Sequence, residues 1–424
     1  MTPRKFYGWW ITVAAFVTFG LAVGIPYYNI GFFYDKKYFL SNSGWRLTDV
    51  TLGFPLAALL TIWIGPLVIH RFSPRKLILT GTVLTAIALV GFGAMGSALS
   101  IYYFLWVIYT IGYIFSGPIP HQLIVSNWFR INRGKAMGIV YVGVGLMGSL
   151  GSFLVKPLTE KFNYHVALYV LAGLVLLSWP LVLFVLKDRP SDVGQNPDGL
   201  PHPPPEAKLQ SRTFRELVSS WPFWLLLIGS FCSIGSIGAI NFHMKPVFEA
   251  QGFLDSEARN AAWRTASILI LWSSIGGRLL IGGLADRFPK KWVMTATYFL
   301  VAGTIPILLA VHPSTYSMLY IFAILFGFGM GADYMLIPLM AADQFGVNSL
   351  ARAMAVILPV NTIGQTWFPY FVSIIKEHGN YTVALGVVLA VAITGAIAIM
   401  ILPRHRDLNA TLPIQDAERL TAKL

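Results

Sequence analysis

Twelve runs of about twenty mostly apolar residues follow one another along this chain, near 8–34, 47–70, 77–98, 100–127, 134–156, 165–187, 222–248, 262–285, 292–311, 315–343, 350–375 and 381–403. A helix needs roughly 20 residues to cross the hydrocarbon core of a bilayer. The pattern therefore predicts an all-α membrane protein with twelve transmembrane helices. Composition agrees: 56% of the 424 residues are hydrophobic, 12% are charged and the mean hydropathy is +0.65, values outside the range of soluble domains. The first run is too long for a signal-peptide core and lacks a convincing cleavage site, so it counts as a span.

The formal charge of +13 is spread over loop after loop instead of forming one patch, which argues against a nucleic-acid partner. With both termini placed in the cytoplasm, Lys and Arg favour the inner loops by about two to one, the bias expected of a multi-pass protein. The expected location is a plasma membrane, of the bacterial inner-membrane type, and the expected state is a monomer in the lipid bilayer. Cys232 is the sole cysteine and lies in an apolar run, which excludes intramolecular disulfides and cysteine metal clusters. No cofactor or metal is expected. No nucleotide-binding signature and no nucleophile–base pair is visible, so neither ATP-driven transport nor an enzyme is expected.

The longest polar stretch, 187–220, holds Pro190, Pro197, Pro201 and the run Pro203-Pro204-Pro205, which together forbid a continuous helix. It divides the chain into an N-terminal six-helix bundle (1–187), a cytoplasmic linker (188–221), a C-terminal six-helix bundle (222–403) and a cytoplasmic tail (404–424). Phe214, Leu217, Val218 and Trp221, set against Arg212, Arg215 and Glu216, have the spacing of a short interfacial helix at the end of the linker. Two loops half a chain apart carry similar chemistry: Pro66-Leu67-Val68-Ile69-His70-Arg71-Phe72-Ser73-Pro74-Arg75-Lys76, and Gly283-Leu284-Ala285-Asp286-Arg287-Phe288-Pro289-Lys290-Lys291. Such repetition implies two related halves meeting around a central site.

These loops resemble the G-x-x-x-D-R-x-x-R/K motif of the major facilitator superfamily, whose members share a 6+6 helix architecture. The second copy fits through Gly282, Asp286, Arg287, Lys290 and Lys291. The first departs, with His70 at the acidic position and Gly65 one residue early. The resemblance implies a gating role for Arg71, Asp286 and Arg287, the acid latching the cytoplasmic side by pairing with charges across the gap. Within the superfamily the chain is similar to the monocarboxylate-transporter and oxalate/formate-antiporter branch. The similarity is carried by Tyr7-Gly8-Trp9-Trp10, by Trp128 to Gly138, by the linker opening Arg189 to Gly199, and by Arg278, which in that family ligates the substrate carboxylate.

Each ionisable group deep in a bilayer costs about 2.5–3.5 kcal/mol to insert even on the lenient scale, so such groups mark function. Arg278 in the eighth run and Asp333 in the tenth are the only opposite charges at that depth. They are expected to pair, Asp333 occupying Arg278 until a substrate carboxylate displaces it and the freed acid takes a proton. The plainer alternative is a permanent structural ion pair. Tyr27, Tyr28, Asn241, Ser274, Tyr334, Asn361 and Gln365 are further candidates for the site, and His243 for proton relay, although a hydrogen-bonded structural histidine is the commoner arrangement. Proton-coupled animal monocarboxylate carriers place a lysine in helix 1 and an aspartate four residues before the arginine. Here Pro26 is followed by Tyr27, and the aspartate position is Ser274. The helix-10 acid resembles instead the branch that moves aromatic amino acids and iodothyronines. Oxalate exchangers carry a helix-11 lysine where this chain has Asn361, Thr362 and Gln365, which disfavours a doubly charged anion.

The reading that results is a secondary active transporter of small organic monocarboxylates, proton-coupled and working by alternating access. A carrier of aromatic or other amino-acid zwitterions would use the same two charges. A membrane sensor that binds ligand without moving it is the third reading.

Overall fold

A computed structural model of the chain describes residues 6–34, 38–39, 45–61, 64, 68–201 and 212–403. Its helices are α1 (Gly8–Asn29), α2 (Asp49–Thr61), α3 (Pro74–Ala94), α4 (Leu99–Trp128), α5 (Arg133–Lys161), α6 (Tyr164–Val185), α7 (Trp221–Ala250), α8 (Ser256–Arg287), α9 (Lys290–Leu309), α10 (Ser317–Phe345), α11 (Val347–Glu377) and α12 (Tyr381–Ile401). Ten of these are long and apolar enough to span a bilayer. The 31-residue α11 is interrupted by Arg352, Asn361, Thr362 and Gln365, which lower its hydropathy. The second run expected over 47–70 is described as α2 and a turn at Ile69–Arg71; residues 62–63 and 65–67 of it, with Gly65, lie outside the described residues.

Local chemistry sets where helices begin and bend. Ser73, Asn163, Asp255 and Asn380 cap α3, α6, α8 and α12, each side chain accepting from a backbone N–H three residues on. α1 widens into a π-helical segment at Gly20–Gly24, where both glycines lie against α5. α4 breaks between Ser116 and Pro118, and α6 ends in a π-helical segment, Leu181–Val185, just after Pro180.

The pairings repeat between the halves. α1 packs on α5, α2 on α4, α3 on α4 and α3 on α6; in the second half α7 packs on α11, α8 on α10, α9 on α10 and α9 on α12. Adding six to each label converts one set into the other, which is the pseudo-symmetry of two six-helix bundles. The halves meet through α5 against α8 and α2 against α11, contacts that exchange under the same operation. Large apolar side chains such as Trp10, Leu60, Phe153, Phe184, Phe242 and Trp272 remain exposed, a surface suited to lipid.

The even number of helices among the described residues brings both described chain ends to one face, here called the inner face. The linker opening is docked there on the first bundle. Trp128 and Asn127 donate to the carbonyls of Lys187 and Asp188, and the Tyr7 N–H donates to Gln195 Oε1. Asp198, at φ 55°, accepts from the consecutive N–H groups of Arg130, Ile131 and Asn132 at 2.7, 2.9 and 3.2 Å. The short helix expected near the linker's end is Phe214–Val218, closed by a Thr213–Glu216 capping box. It docks on α11 through Arg212, whose N–H donates to Ser349 Oγ, and Trp221 belongs to α7 instead. The run Pro203-Pro204-Pro205 and the tail 404–424 lie outside the described residues.

Within the second bundle, a Cβ at Gly277 of α8 would lie 2.1 Å from the backbone oxygen of Phe328 in α10. Neither backbone can yield without moving a helix. Gly277→Ala should cost about 1–3 kcal/mol through overpacking and lower the thermal unfolding midpoint in detergent. An unchanged midpoint would contradict this close α8–α10 approach.

Candidate functional site

Arg278 lies where the two halves meet, against α5. Its side chain is 5% exposed, and Nη1 lies 2.5 Å from where a Cβ on Gly145 of α5 would stand, so the guanidinium occupies space that any other residue there would fill. Its carbonyl oxygen is equally close to Gly138, about two turns toward the inner end of α5. Tyr141 of α5 and Tyr334 of α10 lie within electrostatic reach of the guanidinium. Nε and Nη1 have no hydrogen-bond partner among the described residues. A buried charged donor left unsatisfied is among the costliest arrangements in a fold and calls for a ligand or a function.

The expected ion pair is not formed. Asp333 is fully buried, but its Oδ2 accepts from the Ser233 hydroxyl of α7 at 2.5 Å, and Tyr298 of α9 is its other polar neighbour. The cause is helical geometry: successive residues point about 100° apart. Tyr334 faces the crevice, so Asp333 faces back into its own bundle. Gly331, on a third face, packs against Ser274 of α8.

The remaining candidates divide. Tyr27 and Tyr28 join Tyr334 near the centre. The Tyr27 ring lies 5.8 Å from Tyr28 and 5.5 Å from Tyr113, and the Tyr28 ring rests on Gly148. Asn361 of α11 accepts from Ser230 at 3.0 Å and keeps a buried Nδ2 without a partner, while Gln365 is half-buried on the same helix. Three candidates make contacts away from Arg278. Ser274 turns its hydroxyl to the Leu271 carbonyl of its own helix. Asn241 is exposed and donates to Met330 Sδ. His243 is held by the Pro369 carbonyl at 2.8 Å and faces Tyr381 at 3.4 Å, a tie among α7, α11 and α12 instead of a relay.

The sequence reading missed Gln122, which donates to the Tyr141 hydroxyl at 2.5 Å and leaves a buried Oε1 without a partner. It also missed Tyr113, Tyr141 and Gly145. An amide in an apolar run was a usable signal for Gln122, just as it was for Asn241. Nothing in the sequence marks Gly145 apart from its neighbouring glycines.

At the inner end, Asp286 reaches across to the other half. Its Oδ1 accepts from the Gly134 N–H at 2.5 Å and its Oδ2 from the Lys135 N–H at 2.8 Å. Its partner is therefore the N-terminus of the 29-residue α5, whose own N-cap Asn132 makes no side-chain cap. Unpaired N–H groups and the positive end of a helix suit a carboxylate. The expected pairing with charges across the gap is replaced by this backbone contact, and Arg71 and Arg287 are exposed outside it. The neighbouring ion pair, Lys290 to Asp343 at 3.2 Å, lies within the second half.

The sequence matches the profile of the Major Facilitator Superfamily over residues 50–277 and again over 254–422. The chain belongs to this superfamily. It is 24% identical to monocarboxylate transporter 12-B of Danio rerio over 90% of this chain and 84% of that protein. It is 24% identical to the MFS transporter asaE of Aspergillus flavus over 93% and 86%. In fold it is similar to the human organic anion transporter MFSD10, with a TM-score of 0.71 at 9% identity over 92% of this chain and 99% of that one. The proton:xylose symporter XylE gives 0.71 at 12% identity over 95% and 98%. It is a multi-pass membrane transporter, not an enzyme.

The Asp286 contact has a measurable consequence. Hydrogen bonds to a charged group contribute about 1.5–3 kcal/mol each, nearer the lower value for this part-exposed side chain. Asp286→Ala should therefore shift the population toward separated inner ends by roughly tenfold or more. Spin labels at Ile131 and Phe288, in a Cys232→Ala background, would report longer distances by electron double resonance. An unchanged distribution would show that the contact does not hold the inner side closed.

Proposed function

We propose that this transporter carries small organic monocarboxylates by alternating access, coupled to a proton, as a monomer in the plasma membrane with both termini cytoplasmic. The observation that carries the reading is the buried, unpartnered guanidinium of Arg278 in the crevice between the halves. A carboxylate matches one edge of this planar donor set, Nε with Nη2 or Nη1 with Nη2, through two parallel hydrogen bonds, and Nε and Nη1 have no partner among the described residues. Tyr27, Tyr28, Tyr113, Tyr141 and Tyr334 would enclose the apolar part of the substrate, their hydroxyls tolerating water. A single cation at that depth suits one carboxylate and leaves a second charge uncompensated. The names of the Danio rerio relative and of the organic anion transporter support the same class.

The contacts at Gly134, Gly138, Gly145 and Asp286 close the crevice from Arg278 to the inner face, which suits loading from the outer side. Substrate bound to Arg278 would favour closure above it, and the Asp286 contact would then yield. A ligand shifts such an equilibrium only by its differential affinity for the two states. The amino-acid reading is weakened because Asp333, the acid that would hold an ammonium group, faces away from Arg278.

Thermal-shift titration of purified protein with lactate, benzoate and alanine, repeated on Arg278→Lys and Arg278→Ala, tests the proposal. At least one monocarboxylate should stabilise the wild type. Loss of the two-pronged geometry in the lysine variant should weaken its binding by about tenfold or more, equivalent to 1.4 kcal/mol, and the alanine variant should not respond. Equal stabilisation of Arg278→Ala and wild type would remove the arginine from the site.

A further inference from the structure

With the Arg278–Asp333 pair absent, Asp333 is a buried carboxyl group that substrate binding at Arg278 does not touch. We infer that Asp333, Ser233 and Tyr298 form a proton-binding site inside the C-terminal bundle, separate from the substrate crevice, through which the coupled proton passes. This rests on the proposed carboxylate transport and locates its driving ion.

The three residues come from α10, α7 and α9, the helices that enclose this part of the bundle. Asp333 is 0% exposed and Tyr298 1% exposed. Ser233 donates to one carboxylate oxygen. The other oxygen, Oδ1, has no partner, and the Tyr298 hydroxyl stands beside Asp333 without a hydrogen bond of normal geometry. Two buried oxygens thus stand next to each other without a normal hydrogen bond, and the pair can serve either protonation state: the phenol can donate to an ionised Oδ1, and a protonated Oδ1 can donate to the phenol oxygen. A metal ion fits poorly. The 2.5 Å contact leaves no room between Ser233 and Oδ2, and two free oxygens fall far short of the about six that hard cations take.

The ionisable surroundings are sparse. α7 contributes Cys232, near Tyr298; α9 contributes Tyr298 itself; α10 contributes Tyr334, turned to the crevice; and α8 contributes Arg278, which makes no ion pair with Asp333. Between Thr382 and Ile401, α12 carries no ionisable side chain. A charge change at Asp333 is therefore uncompensated locally and acts on the packing of α7, α9 and α10. Since α8 packs along α10 and carries Arg278, proton binding and the crevice share a mechanical connection without sharing a contact.

Infrared difference spectra of the protein in liposomes, taken as pH is varied, test the site without any substrate. Wild type should show a carboxylic-acid carbonyl band that Asp333→Asn lacks and that Tyr298→Phe and Ser233→Ala shift in frequency. Identical spectra for wild type and Asp333→Asn would overturn the inference. In transport, Asp333→Asn should retain carboxylate-induced thermal stabilisation and counterflow exchange but lose accumulation driven by a pH gradient, with Asp333→Glu recovering part of it. Undiminished pH-driven accumulation in Asp333→Asn would also overturn it. Absence of any response to carboxylates in wild type, with the Asp333 band present, would instead strike the transport reading and leave the proton site standing.

Discussion

The contact between α5 and α8 is the physical constraint on which the centre of this protein depends. Two helices from opposite halves approach until backbone meets backbone, because Gly134 faces Gly282 and Gly138 faces the carbonyl of Arg278. In a bilayer such approach is driven by van der Waals packing, since lipid leaves little hydrophobic force between helices. The same line of contact seats the Arg278 guanidinium in the notch left by Gly145 and, at its inner end, lets Asp286 cap the first N–H groups of α5. Arg278 and Asp286 therefore lie on one helix, α8, about two turns apart. A change in the α5–α8 distance must be felt at both.

The two deep charges do not pair. Arg278 lies against α5 where the halves meet; Asp333 faces the interior of a bundle, tied to Ser233 beside Tyr298. This arrangement avoids a strong buried ion pair, which would have to be broken at full desolvation cost in every transport cycle. The linker opening is folded onto the first bundle at the start of α5. Asp198 holds the N–H groups of Arg130, Ile131 and Asn132 while Asp286 holds those of Gly134 and Lys135, so two carboxylates from different parts of the chain order the entrance to α5.

Much of this was legible in the residues. The apolar runs mark the spans, because length against bilayer thickness is a one-dimensional property. The motif Gly282, Asp286, Arg287, Lys290 marks the superfamily, and an apolar run marks the depth of Arg278. What misled was treating depth as proximity. Two opposite charges at the same level in a membrane read as a pair, yet the turn of one residue between Asp333 and Tyr334 sends them to different faces. His243 and Ser274 misled similarly: polar groups inside apolar runs, they satisfy backbone carbonyls at Pro369 and Leu271.

By itself the sequence determined the class, the order of the apolar runs and the depth of Arg278, all consequences of local hydropathy and periodicity. Tertiary structure alone decided which helices touch across the halves, that Asp286 finds backbone instead of a charge, and that Arg278 Nε and Nη1 have no partner among the described residues. Those outcomes depend on the rotation of each helix about its axis and on which glycine admits which neighbour. Rotation is set by packing among elements hundreds of residues apart, and no local pattern records it.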